Sequence, residues 1–190
     1  MIFILTSVLF GIGLAMDAFS VSAANGIRFP HMPARRSLTI AGAFGLFQTF
    51  MPLLGWLCVH AVAEAFTRFQ RFIPWIALLL LLYIGGKMIW EGLRGEDGKA
   101  EVKPLGGTEL LIQSVATSID ALSVGFTISE YRFAQALAES AIIGAVTFAI
   151  CMAGLYLGKR IGARLAGKAS LVGGLILIAI GIKIWAEGVL

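Results

Sequence analysis

The first 27 residues, Met1 to Ile27, carry a single charged side chain, Asp17. No other feature restricts the possible folds so strongly. About 20 helical residues, rising 1.5 Å each, span the roughly 30 Å hydrocarbon core of a bilayer. Apolar runs of this length recur along the chain, which is 58% apolar and only 14% charged. Soluble domains are nearer 45–50% apolar and about 25% charged. The pattern predicts an all-α integral membrane protein. Membrane strands would alternate polar and apolar residues over about ten positions, and these runs do not. The N-terminal run lacks the basic leader of a signal peptide, and Asp17 interrupts its apolar centre, so it is expected to stay as a span.

Six transmembrane helices are expected, near residues 2–25, 36–61, 72–92, 107–128, 135–158 and 168–189. A polar stretch with Glu96, Asp97, Lys99, Glu101 and Lys103 separates the third from the fourth. Six passes divide the basic residues unequally, with eleven Lys and Arg on the side of the loops after helices 1, 3 and 5, and four on the other. The basic side is expected to be cytoplasmic, which places both termini outside the cytoplasm. Cys58 and Cys151 lie in apolar runs and read as free thiols, without zinc-site spacing. The net charge of +4 reports membrane orientation and needs no nucleic acid to explain it.

The surroundings of Asp17 occur twice. Met16-Asp17-Ala18-Phe19-Ser20-Val21 is matched by Ile119-Asp120-Ala121-Leu122-Ser123-Val124, and Asp120 is the only charge from Leu110 to Ser129. Gly45 and Gly55 correspond to Gly144 and Gly154. Gly85-x-Lys87-x-x-x-Glu91-Gly92 corresponds to Gly181-x-Lys183-x-x-x-Glu187-Gly188. Residues 1–95 and 105–190 therefore read as two copies of a three-helix unit, joined by a cytoplasmic linker at 96–104. An odd number of helices per copy inserts the two in opposite senses. Inverted-topology repeats of this kind build many secondary transporters, with the site near the midplane and one unit rocking against the other.

A carboxylate near a bilayer centre costs about 2.5–3.5 kcal/mol on insertion scales and is by default a functional hypothesis. Asp17 and Asp120 read as hard oxygen ligands for a divalent cation, as proton acceptors, or as both in turn. The plainer reading is a hydrogen bond between two helices. Ser20 and Ser123 share their aspartates' helix faces at i+3, and Asn25 follows Asp17 at i+8. Met16 offers a thioether beside Asp17, a soft ligand that would favour a transition metal, or else simple core packing. Gln48 precedes Pro52 by four residues, so the proline frees Gln48's own carbonyl, and side chain and carbonyl could both face an ion. Lys87–Glu91 and Lys183–Glu187 are i,i+4 pairs near Trp90 and Trp185. They read as snorkelling anchors at the two membrane faces, or as a gate drawing cations inward. No Walker sequence points to ATP drive.

These motifs, with Phe47-Gln48-Thr49-Phe50-Met51-Pro52-Leu53-Leu54-Gly55-Trp56 and Gly85-Gly86-Lys87-Met88-Ile89-Trp90-Glu91-Gly92, resemble the manganese efflux pump MntP family, within the lysine-exporter-like superfamily. The resemblance covers nearly the whole chain. It implies a bacterial inner-membrane exporter with Mn²⁺ as transported substrate and no cofactor, and with Asp17 and Asp120 as the family's intramembrane acids. Proton antiport is the expected drive, with the lipid bilayer, Mn²⁺ and protons as partners. Alternatives are export of another divalent cation or of a small organic solute such as an amino acid. More remote is an intramembrane aspartyl protease, whose Gly-x-Gly-Asp sequence is absent.

Overall fold

The computed structural model describes residues 2–61, 73–93, 105–162 and 169–189. They form six helices: α1 (Ile2–Arg28), α2 (Ala34–Ala61), α3 (Ile73–Leu93), α4 (Gly107–Thr127), α5 (Phe133–Gly162) and α6 (Ala169–Val189). The linker expected at 96–104 lies outside the described residues. Four of the helices, α1, α2, α4 and α5, are long and apolar enough to cross a membrane. Their outward surfaces fit that setting: Leu5, Leu9, Leu46, Leu57, Phe133 and Leu157 are all exposed.

Several helices outrun the sequence expectation. α1 continues through Asn25-Gly26 to Arg28. Gly26 is no terminator here, because it faces the backbone of Leu155 and Gly158 and is needed for close packing. A short connection then turns on Phe29 N–H to Asn25 O (3.0 Å) and Met32 N–H to Phe29 O (3.1 Å). α4 starts after extended Gly106, with Glu109 in its first turn, where a carboxylate complements the helix dipole.

The closest packing runs between the two halves of the chain. α1 packs on α5, α2 on α4 and on α5, and α3 on α6, with smaller contacts of α1 with α6 and α3 with α4. By contrast α1 barely touches α2. Among the described residues neither half packs into a compact body by itself, so rocking of one three-helix unit against the other does not suit this packing.

Small residues make the approaches possible. Gly154, Gly158 and Gly162 on α5 lie against the carbonyls of Phe19, Ala23 and Ile27 on α1, so the two helices run parallel. Gly55 meets Leu122 and Gly125 meets Pro52 at the closest approach of α2 and α4, and the bonds from Gln48 to Thr117 O and from Trp56 to Tyr131 O show that the two helices run parallel. Gly85 and Gly174 face each other's carbonyls, and Gly181 lies beside Leu81 and Leu78, so α3 and α6 are antiparallel. Gly45 and Gly144 also meet carbonyl to Cα, where α2 crosses α5. In hydrocarbon, where lipid tails are as apolar as leucine, such backbone proximity is a main source of helix association.

Candidate ion site

α1 and α4 run antiparallel, and their register is fixed by polar pairs at one end. Asn25 Nδ2 donates to Gln113 Oε1 at 2.7 Å, and Gln113 Nε2 returns a bond to Asn25 Oδ1 at 3.4 Å. One turn on, Arg28 Nη1 is 2.6 Å from Glu109 Oε1. Counting back along α1 from these residues and forward along α4 brings Asp17 opposite Asp120. The two carboxylates lie within electrostatic reach of each other and of Lys183.

Their surroundings differ. Asp17 is largely covered, its side chain 12% accessible, and its Oδ1 receives Lys183 Nζ from α6 at 2.8 Å. Asp120 is exposed. Its Oδ1 accepts the N–H of Ala121 at 2.8 Å. Asp120 thus has a local backbone bond, while Asp17 has a cation.

Gln48 is fully buried between the two aspartate helices. Its Nε2 donates to Thr117 O at 3.0 Å and to Leu14 O at 3.4 Å, each carbonyl three residues before an aspartate. Its Oε1 is buried with no partner. The side chain therefore ties helices together and also presents an unused oxygen. Thr147, at the matched position of α5, is likewise buried with an unpartnered Oγ1.

The remaining expected residues are placed as follows. Ser20 is partly buried, and its hydroxyl donates to Met16 O at 2.9 Å on its own helix, leaving the oxygen able to accept. Ser123 is exposed beside Asp120. Met16 is 54% accessible and points away from the core. Asn25 is committed to Gln113, well along α1 from Asp17. Lys87 is exposed, and no ion pair joins it to Asp120. The side chains of Glu91 and Glu187 lie outside the described residues.

Lys183 is the main revision. It reads in sequence as an anchor or a gate, and in the structure its ammonium reaches Asp17 from within α6. Its depth in the sixth apolar run, close to that of Asp17 in the first, is the signal that would have found it. Sequence reasoning also passed over Glu139. It is 1% accessible on α5, next to fully buried Ser140, and its Oε2 has no partner. Its face of α5 carries Ala136 and Ile143, which pack with Leu14, Leu53, Val124 and Ile128. Glu139 is the only acidic residue in α5, and that isolation is readable in the sequence. Among the described residues no group of three or more His, Cys, Asp or Glu side chains converges.

Membrane-length apolar helices, with acidic and amide side chains turned into the bundle, define a membrane transporter. The family described as "Putative manganese efflux pump" (Mntp) matches residues 31–185. This chain belongs to the manganese efflux pump family. Proteins named "Putative manganese efflux pump MntP" are similar over almost its whole length. That of Methanosarcina mazei is 45% identical over 184 residues, 96% of each chain. That of Sorangium cellulosum is 41% identical over 184 residues, 94% of each. That of Rippkaea orientalis is 38% identical over 187 residues, 98% of each. No solved structure matches the chain. Proteins so named are transporters, not enzymes.

Proposed function

We propose that this protein exports Mn²⁺ from the cytoplasm across the bacterial inner membrane, binding it between Asp17 and Asp120. The observation that carries the reading is the antiparallel register of α1 and α4, which sets the two carboxylates opposite each other. Mn²⁺ favours hard oxygen ligands in near-octahedral surroundings. Two carboxylates match its charge. Gln48 Oε1 is a buried oxygen without a partner, and Ser20, Ser123 and backbone carbonyls are further candidates. Met16 and Asn25 take no part in this reading.

The halves 1–95 and 105–190 are read as inverted copies joined through 96–104, with six passes and both termini outside the cytoplasm. Several relations support this. Exchanging α1, α2 and α3 for α4, α5 and α6 turns the α1·α5 contact into α4·α2 and α1·α6 into α4·α3, and all four occur. Gly154 faces Phe19 as Gly55 faces Leu122, and these are matched positions. Gly45 meets its own counterpart, Gly144, as residues beside a two-fold axis would. The directions of the helix pairs agree with six alternating passes.

Transport on this reading is proton antiport. Protons compete for the carboxylates on the outer side, help to eject the metal, and spare the returning carrier two bare anions in a low-dielectric site. The moving bodies are interleaved helix pairs, since the halves are not separate blocks. The test is Mn²⁺ efflux from proteoliposomes. Asp17→Asn and Asp120→Asn should each stop it, with Ca²⁺, Mg²⁺ and amino acids as competitors. Wild-type efflux by a folded Asp17→Asn protein would refute the joint site.

A further inference from the structure

We propose that Lys183 is a built-in counter-cation: its ammonium holds Asp17 while the site is empty and is displaced when the metal binds. The inference rests on the reading of Asp17 and Asp120 as metal ligands.

The geometry is that of an exchangeable partner. Nζ touches Oδ1 at 2.8 Å, yet the lysine side chain is 49% accessible and the aspartate 12%. The carboxylate is covered while the lysine, half-accessible on a flexible four-carbon stem, can swing away from it. A divalent ion and an ammonium repel each other and cannot share one small carboxylate at close range. Two bare carboxylates carry two negative charges; the ammonium leaves one of them uncompensated, and Mn²⁺ leaves none. Lysine is therefore a weaker stand-in for the metal, suited to giving way.

The two sides of the site are also unequal. Lys87 matches Lys183 in sequence, but Asp120 bonds to Ala121 N–H and no ion pair joins it to Lys87 among the described residues. Asp120 is the exposed carboxylate, and Asp17 is the covered one that the ammonium holds. An entering cation meets Asp120 first, and its charge then expels Lys183 from Asp17. When the metal leaves, the ammonium returns and the empty carrier does not carry an uncovered Asp17 through the membrane.

The test separates the empty carrier from the loaded one. Lys183→Gln removes the competitor, so equilibrium Mn²⁺ binding should tighten about tenfold. Net export should fall to about a tenth or less, because the empty form must now return with Asp17 stripped of its counter-cation. Mn²⁺–Mn²⁺ exchange across the same vesicles, which needs only the loaded form, should continue. Unchanged binding and net export would overturn the proposal, as would weaker binding with loss of exchange in a folded protein. If Lys183→Gln does not fold, the wild-type protein decides. Saturating Mn²⁺ should increase acylation of Lys183 severalfold, read by peptide mass spectrometry with Lys87 as reference, and no increase overturns the proposal. Asp17→Asn keeps the two ideas apart. If it still exports Mn²⁺, the site reading fails; if it does not, while Lys183→Gln behaves as wild type, only the counter-cation fails.

Discussion

Gln48 donates from Nε2 to the carbonyl of Thr117 at 3.0 Å, one turn before Asp120, and its second, longer bond reaches Leu14, one turn before Asp17. One amide thus spaces the two helices that carry the carboxylates. Gln48→Ala removes both bonds and leaves a void, so thermal unfolding in detergent should show a loss of about 1–3 kcal/mol. Mn²⁺ efflux should fall severalfold without vanishing. An efflux rate equal to wild type would show that neither the spacing nor the free oxygen matters to transport.

The two aspartates should separate in stability but not in transport. Asp17→Asn breaks the ion pair with Lys183, and a half-exposed ion pair contributes about 1 kcal/mol at most. Asp120→Asn keeps its local bond, because an amide oxygen can also accept the Ala121 N–H. Both should abolish Mn²⁺ efflux, with Asp17→Asn melting slightly lower. A large drop in melting temperature for Asp120→Asn would mean that its role is structural.

Glycines on α5 offer a contrast within one residue type. At Gly158 a Cβ would strike the backbone of Ala23, which has no side-chain freedom to yield. Gly158→Ala should cost about 1–3 kcal/mol of stability through overpacking. Gly13 has nothing within 4 Å of a Cβ position, so Gly13→Ala should be neutral or gain up to about 1 kcal/mol of helix propensity. Thermal melts of the two variants side by side check both signs.

Glu139 is buried with an unpartnered oxygen, so a charge there is a net expense to the fold. Glu139→Gln keeps the shape and removes the charge. It should leave the melting temperature unchanged or higher, whereas Glu139→Lys should prevent recovery of folded protein. A clear loss of stability in Glu139→Gln would reveal a cationic partner that the buried carboxylate requires.

A proton gradient tests the drive. Making the outside acidic should accelerate Mn²⁺ efflux from reconstituted vesicles severalfold, since protons then replace the metal on the carboxylates as it leaves. Efflux that follows the metal gradient alone would remove the antiport step and leave the metal site standing.

The aspartates and their repeat were legible because each is the one charge in an apolar run, where every polar atom needs a reason. Helix ends were less so: Asn25-Gly26 has the composition of a stop, but Gly26 is spent on packing against α5 and the helix continues. Lys183 was read from the residues around it, Glu187 and Trp185, as an interfacial group; its partner lies 166 residues away and no local pattern encodes that. Nor do sequence offsets say which helices touch. They identify Gly45 with Gly144 and Phe19 with Leu122, but that matched segments embrace across the halves follows only from the folded packing.

The interleaving also bears on how the chain is made. α1 is made well before the helix it packs on most closely, α5, and before α6, which carries the lysine that holds Asp17. Throughout synthesis Asp17 stands in a helix whose glycine-lined partner does not yet exist. A nascent chain stopped before α4 therefore has no native neighbour for α1 to clasp, and its aspartate depends on the insertion machinery or on water for shelter. Assembly around Asp17 can close only when α6 arrives, so a chain without α6 uncovers a residue that α1 delivered long before.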